Sequence, residues 1–435
     1  MEEVVSRELF GTDGVRALAG EYPLDDAGCL AIGRAVGTQF AEAGQQIVIA
    51  CDTRESSQHI VETISAGLQA VGANVTFAGI MPTPGLANIT AQHPEFVAGV
   101  MITASHNPFE YNGVKVFTSA GGKLPDEVEE QLNTKIEAGV PDRNTGTFTK
   151  LDLISEYESF LTSTADGLRL DTLKIVVDTA NGAASGIGQQ IFEELGAEVI
   201  GLGNTPNGRN INIRCGATDT QALRDAVLEH QADIGIAVDG DADRLIMVDA
   251  LGRECNGDYL LYLLAVANGY NQVVATVMSN LGLEQALANK EISLDRTAVG
   301  DRYVLERLLQ ADYKIGGEQS GHIILPELST TGDGLFAAVQ VLKAIAQSGR
   351  ALSEWRDDIA MLPQALVNFY IADKTKLNSP EVTEYVQVKT TELGSAGRIL
   401  VRPSGTEPLA RVMVEAPNAN DLAQEMATHI AELVQ

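Results

Sequence analysis

An α/β fold class spread over several domains is what this 435-residue chain predicts, and three observations predict it. Residues 47–50, 56–71 and 75–78 read as strand, helix and strand, a parallel βαβ unit. The same alternation returns near residue 174 and again near 273. At a soft average of about 150 residues per domain, the length allows roughly three cores.

Composition narrows the class of function. Hydrophobic residues make up 45% of the chain, with 42 Gly, 14 Pro and no low-complexity tract, a globular mixture rich in tight turns. No apolar run approaches the roughly 18 residues of a membrane span, and the acidic start Met1-Glu-Glu3 is the wrong charge for a secretory leader. A soluble, cytoplasmic protein without a membrane partner is therefore expected. The formal net charge of -29, from 30 Lys plus Arg against 59 Asp plus Glu, argues against nucleic acid, which needs a basic patch. A small anionic ligand stays compatible where basic side chains converge, because charge is screened beyond about 8 Å. Cys29, Cys51, Cys215 and Cys255 stand at no metal-ligand or redox spacing and read as reduced thiols.

The first domain, residues 1–152, opens with the glycine-punctuated loop Phe10-Gly-Thr-Asp-Gly-Val-Arg16, which presents one arginine. After the βαβ unit, Met81-Pro-Thr-Pro84 leads into a short helix, and the apolar run 96–102 stops at Thr103-Ala-Ser-His-Asn-Pro108. That is how a buried strand ends in a polar loop, and open α/β sheets bind ligands at the carboxyl ends of their strands. Ser105 is the candidate nucleophile. His106 and, after an expected turn at Asn112-Gly113, Lys115 are its nearest ionisable neighbours.

The second domain, residues 153–256, carries a glycine turn after strand 174–178. Gly182, Gly186 and Gly188 match the G-x-x-x-G-x-G turn of short-chain dehydrogenases, and Tyr385 with Lys389 repeats their Y-x-x-x-K spacing. A complete α/β domain before that turn counts against a dehydrogenase, as does strand 198–202 ending without an acid to hold a ribose. Strand 234–238 then delivers Asp239-Gly-Asp-Ala-Asp-Arg244. On an extended segment alternate side chains point one way, so Asp239, Asp241 and Asp243 converge. Three hard oxygen ligands with open positions suit Mg²⁺, and a cation relieves their mutual repulsion. An EF-hand is excluded by Arg244 at its sixth position and Ala250 at its twelfth.

The third domain, residues 257–364, has a strand at 273–278, a helix at 281–288, a turn at 298–302 and a long helix from 334. Its Gly317-Glu-Gln-Ser-Gly-His322 loop presents Glu318, Ser320 and His322 together, the hydrogen-bonding set that sugar hydroxyls require. Leu362-Pro363 reads as a hinge into the smaller fourth domain, residues 365–435. There Arg402-Pro-Ser-Gly-Thr-Glu-Pro408 and Arg411 lie in and beside a turn between two strands. Arg402, Ser404, Gly405, Thr406 and Arg411 can form a phosphate cradle from two guanidinium groups, two hydroxyls and backbone N–H groups.

In this order, the segments at 10–16, 103–108, 239–244, 317–322 and 402–408 resemble the motif set of the α-D-phosphohexomutases over nearly the whole chain. Val277-Met-Ser-Asn-Leu-Gly282, Val299-Gly-Asp-Arg-Tyr-Val304 and Thr330-Thr-Gly-Asp-Gly334 are similar to the bacterial amino-sugar branch of that family. The resemblance implies three similar α/β domains with mixed sheets and a smaller C-terminal α+β domain around a central cleft. It implies an intramolecular phosphotransferase interconverting glucosamine 6-phosphate and glucosamine 1-phosphate, on the route to UDP-N-acetylglucosamine and cell-wall precursors. Glucose or mannose phosphates are the alternative substrates within the family.

By the same resemblance, Ser105 would be a phosphoserine completing one Mg²⁺ site with Asp239, Asp241 and Asp243, and glucosamine 1,6-bisphosphate would be the intermediate. Arg16, His106, Lys115 and Arg244 would serve the reacting groups, with the last three unranked for proton transfer. Glu318, Ser320 and His322 would hold the sugar, and Arg402, Ser404, Gly405, Thr406 and Arg411 the phosphate that is not reacting. A homodimer is compatible with the family and is not specified by the sequence. Three positions depart from the usual pattern: Ala17 and Ala242 replace Gly, and Tyr111 replaces a common Asp.

Overall fold

The computed structural model describes residues 9–11, 14–143, 145–404 and 408–434. It divides into two compact units, one of residues 1–277 and 295–356, the other of residues 278–294 and 357–435.

The first sheet of the larger unit contains β1 (Val15–Leu18), β2 (Gln46–Cys51), β3 (Asn74–Ile80), β4 (Phe96–Ile102), β5 (Tyr111–Thr118) and β6 (Phe148–Lys150), in the order β1-β5-β4-β2-β3-β6. Its helices are α1 (Asp26–Phe40), α2 (Ser57–Ala70), α3 (Thr83–Gln92) and α4 (Asp126–Ala138). β2 runs parallel to β3 and β4, whereas β5 is antiparallel to both β4 and β1. Covered on both faces, β4 shows no polar alternation. Val100 and Ile102 face one core cluster and Met101 the other, each buried side chain being worth about 1.5–3 kcal/mol.

Two expectations change in this sheet. Arg16 lies on a strand, paired with Gly113, because Val15 is buried in the core and draws the segment onto the edge of β5. Asn112 and Gly113 do not turn but continue β5. Asn112 is fully buried and its amide donates to the Ser56 and Ser57 hydroxyls at 2.9 and 3.1 Å, so its polar group is satisfied within a strand.

The second sheet holds β7 (Lys174–Asp178), β8 (Glu198–Leu202), β9 (Ile234–Val238), β10 (Leu245–Asp249) and β11 (Glu254–Cys255), in the order β11-β10-β9-β7-β8. α5 (Ile154–Thr164), α6 (Gly188–Glu194) and α7 (Gln221–His230) accompany it. β9 and β10 form an antiparallel hairpin of wholly buried residues around the loop 239–244. Next come α8 (Gly257–Ala267), β12 (Gln272–Thr276), α9 (Leu281–Ala288), β13 (Ser293–Thr297), α10 (Asp301–Ala311), β14 (Gly316–Gly317), β15 (Ile323–Ile324), α11 (Gly334–Ser348) and α12 (Leu352–Arg356). Their sheet, ordered β13-β12-β14-β15, is mixed.

The smaller unit is built on β16 (Gln364–Tyr370), α13 (Pro380–Leu393), β17 (Arg398–Pro403), β18 (Leu409–Glu415) and α14 (Ala419–Leu433), with the antiparallel order β16-β18-β17. Residues 278–294, expected within the third domain, pack with this unit. The buried Glu415 carboxylate accepts from Leu281 N at 2.9 Å and from Arg398, and the Asn280 side chain bonds Leu362 N and O at 3.0 Å. Burying that carboxylate requires such partners, and they draw α9 to the C-terminal unit. All four cysteines are buried free thiols. No helix among the described residues is long and apolar enough to cross a membrane.

Candidate active site

Ser105 follows β4 directly and is buried, with a left-handed φ of +50°. The Thr103 hydroxyl accepts its N–H at 3.0 Å, a local side-chain bond that competes with continuing the strand. The Ser105 hydroxyl donates to Asp239 Oδ2 at 2.7 Å and lies 3.3 Å from His106 Nδ1. The loops after β4 and β9 therefore meet. Gly240 permits the approach, because a Cβ there would stand 2.5 Å from the Ser105 carbonyl oxygen.

Ligand atoms of Asp239, Asp241 and Asp243 lie within 4.8 Å of one another. They converge through a turn rather than an extended segment: Ala242 N–H donates to the Asp239 carbonyl at 3.0 Å, and Ala242 has φ of +61°. Alternation alone would have kept the side chains spread along a strand. Asp241 Oδ2 accepts from Thr83 at 2.6 Å and from Lys115 Nζ at 2.8 Å, and Lys115 also reaches Asp243 at 3.3 Å.

Burial, then the neighbouring Asp243 and Asp241 charges, push the Asp239 carboxyl up to about 8. Burial also works to raise Asp243, but Lys115, His322 and Arg244 outweigh it and hold that carboxyl well below the usual range. Asp241 Oδ1 and Asp243 Oδ1 are buried and accept no hydrogen bond. Two orphaned carboxylate oxygens beside a third carboxyl that burial disfavours as an anion make a donor set suited to a hard divalent cation.

His106 is pushed down to about 4, first by burial and then by the Arg244 and Arg16 charges. It is a neutral imidazole at pH 7. Lys115, 4% exposed, is engaged with two aspartates. Arg244 sits among Asp239, Asp243 and Glu318, whose charges keep it protonated against the cost of burial.

The third loop comes in beside β10. Gly321 packs on the Leu245 carbonyl, Glu318 is half-buried and Ser320 exposed. His322 differs from the expected sugar-facing imidazole. It is buried, with Nδ1 3.8 Å from Asp243 Oδ1 and Nε2 3.1 Å from Asp301 Oδ2. Nε2 also lies 3.0 Å from Gly332 N. The two carboxylates outweigh that amide and, against the cost of burial, raise the ring to about 10.

In the smaller unit Arg402 and Arg411 stand opposite each other on β17 and β18. Arg411 Nη2 donates to Ser404 Oγ at 3.2 Å and Lys374 Nζ to Ser404 O at 2.6 Å. Burial, then the Arg411 charge, lowers Arg402, so an anion there would be welcome. Gly405 and Thr406 lie outside the described residues, as do Thr12 and Asp13 of the first motif.

Models of the phosphoglucomutase/phosphomannomutase family match the chain throughout: alpha/beta/alpha domain I over residues 7–142, domain II over 155–252, domain III over 256–361 and the C-terminal domain over 366–433. The chain belongs to the phosphoglucomutase/phosphomannomutase family. It is 43% identical to the phosphoglucosamine mutase of Solibacter usitatus and 44% identical to that of Thermus thermophilus, covering 99% of this chain and of each relative. A phosphoglucomutase/phosphomannomutase family protein from Burkholderia thailandensis has the same fold, with TM-score 0.81 and 23% identity, over 98% of this chain and 97% of that one. N-acetylphosphoglucosamine mutase of Aspergillus fumigatus, solved with GlcNAc-6P and magnesium, superimposes with TM-score 0.65 at 18% identity, over 98% and 95% of the two chains.

Membership in the phosphoglucomutase/phosphomannomutase family overturns the dehydrogenase alternative, and the structure shows what its two signals do instead. A Cβ on Gly182 would stand 2.3 Å from the Gly240 carbonyl oxygen, so the glycine turn lets the acidic loop pack directly against it. Tyr385 lies against His429, with ring centroids 4.3 Å apart and planes tilted by 50°, and Lys389 pairs with Glu425 at 2.8 Å, joining α13 to α14. Sequence reasoning missed Asp52, Arg54, Thr83, Asn212, Asp301 and Lys374. Asp52-Thr-Arg54 follows the apolar strand β2 just as Thr103 to Pro108 follows β4, so the same signal could have found the first two.

Proposed function

We propose that this chain is an intramolecular phosphotransferase that converts glucosamine 6-phosphate into glucosamine 1-phosphate and back. The observation that carries it is the 2.7 Å contact of the Ser105 hydroxyl with Asp239, a strand-end serine against a buried carboxylate triad. The identity of 43–44% with two phosphoglucosamine mutases over 99% of the chain supports the amino sugar as substrate.

Ser105 carries the phosphoryl group. Its Oγ–P bond breaks as a bond forms from phosphorus to the sugar O1; the sugar hydroxyl proton passes to His106, which hands it to the departing Ser105 Oγ, 3.3 Å from its Nδ1. Glucosamine 1,6-bisphosphate then turns over and returns its 6-phosphoryl group to Ser105. Asp239, Asp241 and Asp243, with the Ser105 phosphate, would hold a Mg²⁺ ion, which would supply charge neutralisation during phosphoryl transfer. Arg16 and Arg244 add guanidinium charge beside His106, Glu318 and Ser320 hold ring hydroxyls, and His322 supports Asp243. In the smaller unit Arg402, Ser404 and Arg411 form a phosphate cradle.

A coupled assay on the 6-phosphates of glucosamine, glucose and mannose tests the substrate, with kcat/KM expected to be highest for glucosamine 6-phosphate. A preference for glucose or mannose phosphate would make the chain a hexose mutase of the same family. Mass analysis of the peptide containing Ser105 should show one phosphate, and its absence from turnover-competent protein would end the phosphoserine route.

A further inference from the structure

No step above gives a task to Val299-Gly-Asp-Arg302, the turn that opens α10. Asp301 Oδ2 lies 2.7 Å from Lys123 Nζ and 3.1 Å from His322 Nε2. Beyond the imidazole, Nδ1 is 3.8 Å from Asp243 Oδ1, one of the carboxylate oxygens that accept no hydrogen bond. In the same turn Gly300 N–H donates to Glu318 Oε1 at 3.1 Å. One turn thus touches the support of the acidic triad and the carboxylate assigned to the sugar.

We infer that Asp301 is a positioning residue that, through His322, sets where Asp243 stands in the divalent-cation site. The inference rests on the proposed function in taking Asp239, Asp241 and Asp243 as that site. Three carboxylates within 4.8 Å repel one another; Lys115 steadies Asp243 at Oδ2, and Oδ1, which accepts no hydrogen bond, needs a fixed neighbour on its own side. The Gly332 N–H, 3.0 Å from His322 Nε2, is itself a donor and cannot accept the ring's N–H. A carboxylate on the imidazole's far nitrogen fixes the ring plane, the way an outer carboxylate orients a histidine at a metal centre. Lys123 holds that carboxylate in turn, which makes a chain of four side chains running from the half-buried Lys123 and Asp301 to the buried His322 and Asp243.

The neighbouring residue separates this role from simple adhesion. Arg302 pairs with Asp126, lies 3.8 Å from Glu129 and reaches Glu306 at 3.0 Å, so it fastens α10 to α4 with no link to His322. Adhesion of the turn and orientation of Asp243 are therefore carried by adjacent residues that can be changed one at a time.

The test is Mn²⁺ titration of the full unphosphorylated chain by electron paramagnetic resonance, alongside thermal unfolding. Asp301→Asn should weaken Mn²⁺ binding about 10–100-fold with little change in Tm. His322→Gln, which breaks the same link from the other side, should give a similar loss and serves if the first variant does not fold. Arg302→Gln should keep the parent affinity. Parent-like affinity in both Asp301→Asn and His322→Gln overturns the inference, and so does an equal loss in Arg302→Gln, which would mark general loosening. Asp243→Asn is the reference: if it binds Mn²⁺ as the parent does, or if the parent binds none, the metal reading itself is wrong and the inference goes with it.

Discussion

Arg54 holds Ser105 from the neighbouring strand end, its Nη2 donating to the Ser105 carbonyl at 3.1 Å and to the Asn107 carbonyl at 2.6 Å. The same guanidinium is paired with the buried Asp52, and Asn212 Nδ2 adds a bond to the Ser105 carbonyl at 2.9 Å. A left-handed serine costs about 1–2 kcal/mol, and this clamp offsets it. Arg54→Met should destabilise the protein by about 3–5 kcal/mol, because it strands a buried carboxylate. Adding Asp52→Asn should restore most of the stability but not the turnover. Urea unfolding and initial rates on the pair check this, and a double variant as active as the parent would show that Ser105 needs no clamp.

Ser105→Ala removes only the hydroxyl, so the acidic triad and the arginines remain to bind ligand. Turnover should fall by about 10⁴-fold or more, the scale on which losing a nucleophile acts. Glucosamine 6-phosphate should still bind within about tenfold of the parent, measured by calorimetry. Residual turnover at the parent rate would rule out Ser105 as the phosphate carrier.

What the sequence revealed and what it hid divide along physical lines. Apolar runs and their abrupt ends are local, so the boundaries of β4 and β9 could be read directly, and so could the chemistry of the loops that follow them. Arg16 and the Asn112-Gly113 pair were misread because glycine and asparagine signal turns only when nothing else satisfies them; here Ser56 and Ser57, more than fifty residues away, satisfy Asn112. His322 looked like a sugar ligand because a histidine in a glycine loop is usually reachable from solvent. Its burial between Asp243 and Asp301 depends on two other elements. The convergence of the aspartates was foreseen, but the turn that achieves it was not.

Ala242 stands at φ +61° in that turn, where the family usually has glycine. Ala242→Gly should relieve about 1–2 kcal/mol of left-handed strain. Against this it gives up a buried methyl worth about 0.8 kcal/mol and frees the unfolded chain by about 0.4–1 kcal/mol. These nearly cancel, so the urea midpoint should move little and Mn²⁺ affinity should hold. Ala242→Val, β-branched at a fully buried left-handed position, should lose about 2 kcal/mol or more. An equally stable valine variant would contradict the backbone geometry assigned to the acidic loop.

Asp333 caps α11, accepting from Phe336 N at 2.9 Å and from the buried Tyr157 hydroxyl at 2.9 Å. Burial outweighs these bonds and pushes its carboxyl from the ordinary 3.8 up to about 7. Below pH 4 the carboxyl is protonated in both the folded and unfolded states. Between about pH 4 and 7 the unfolded chain releases the proton while the folded chain keeps it, so this group's contribution to stability falls as pH rises; above 7 it is flat. Asp333→Asn cannot ionise, and its amide can still meet Phe336 N and the Tyr157 oxygen. The stability of the variant relative to the parent should therefore climb from pH 4 to 7 and then level off, measured by urea unfolding at half-unit steps. A difference that stays constant or shrinks across that window would mean that Asp333 is ionised in the folded protein.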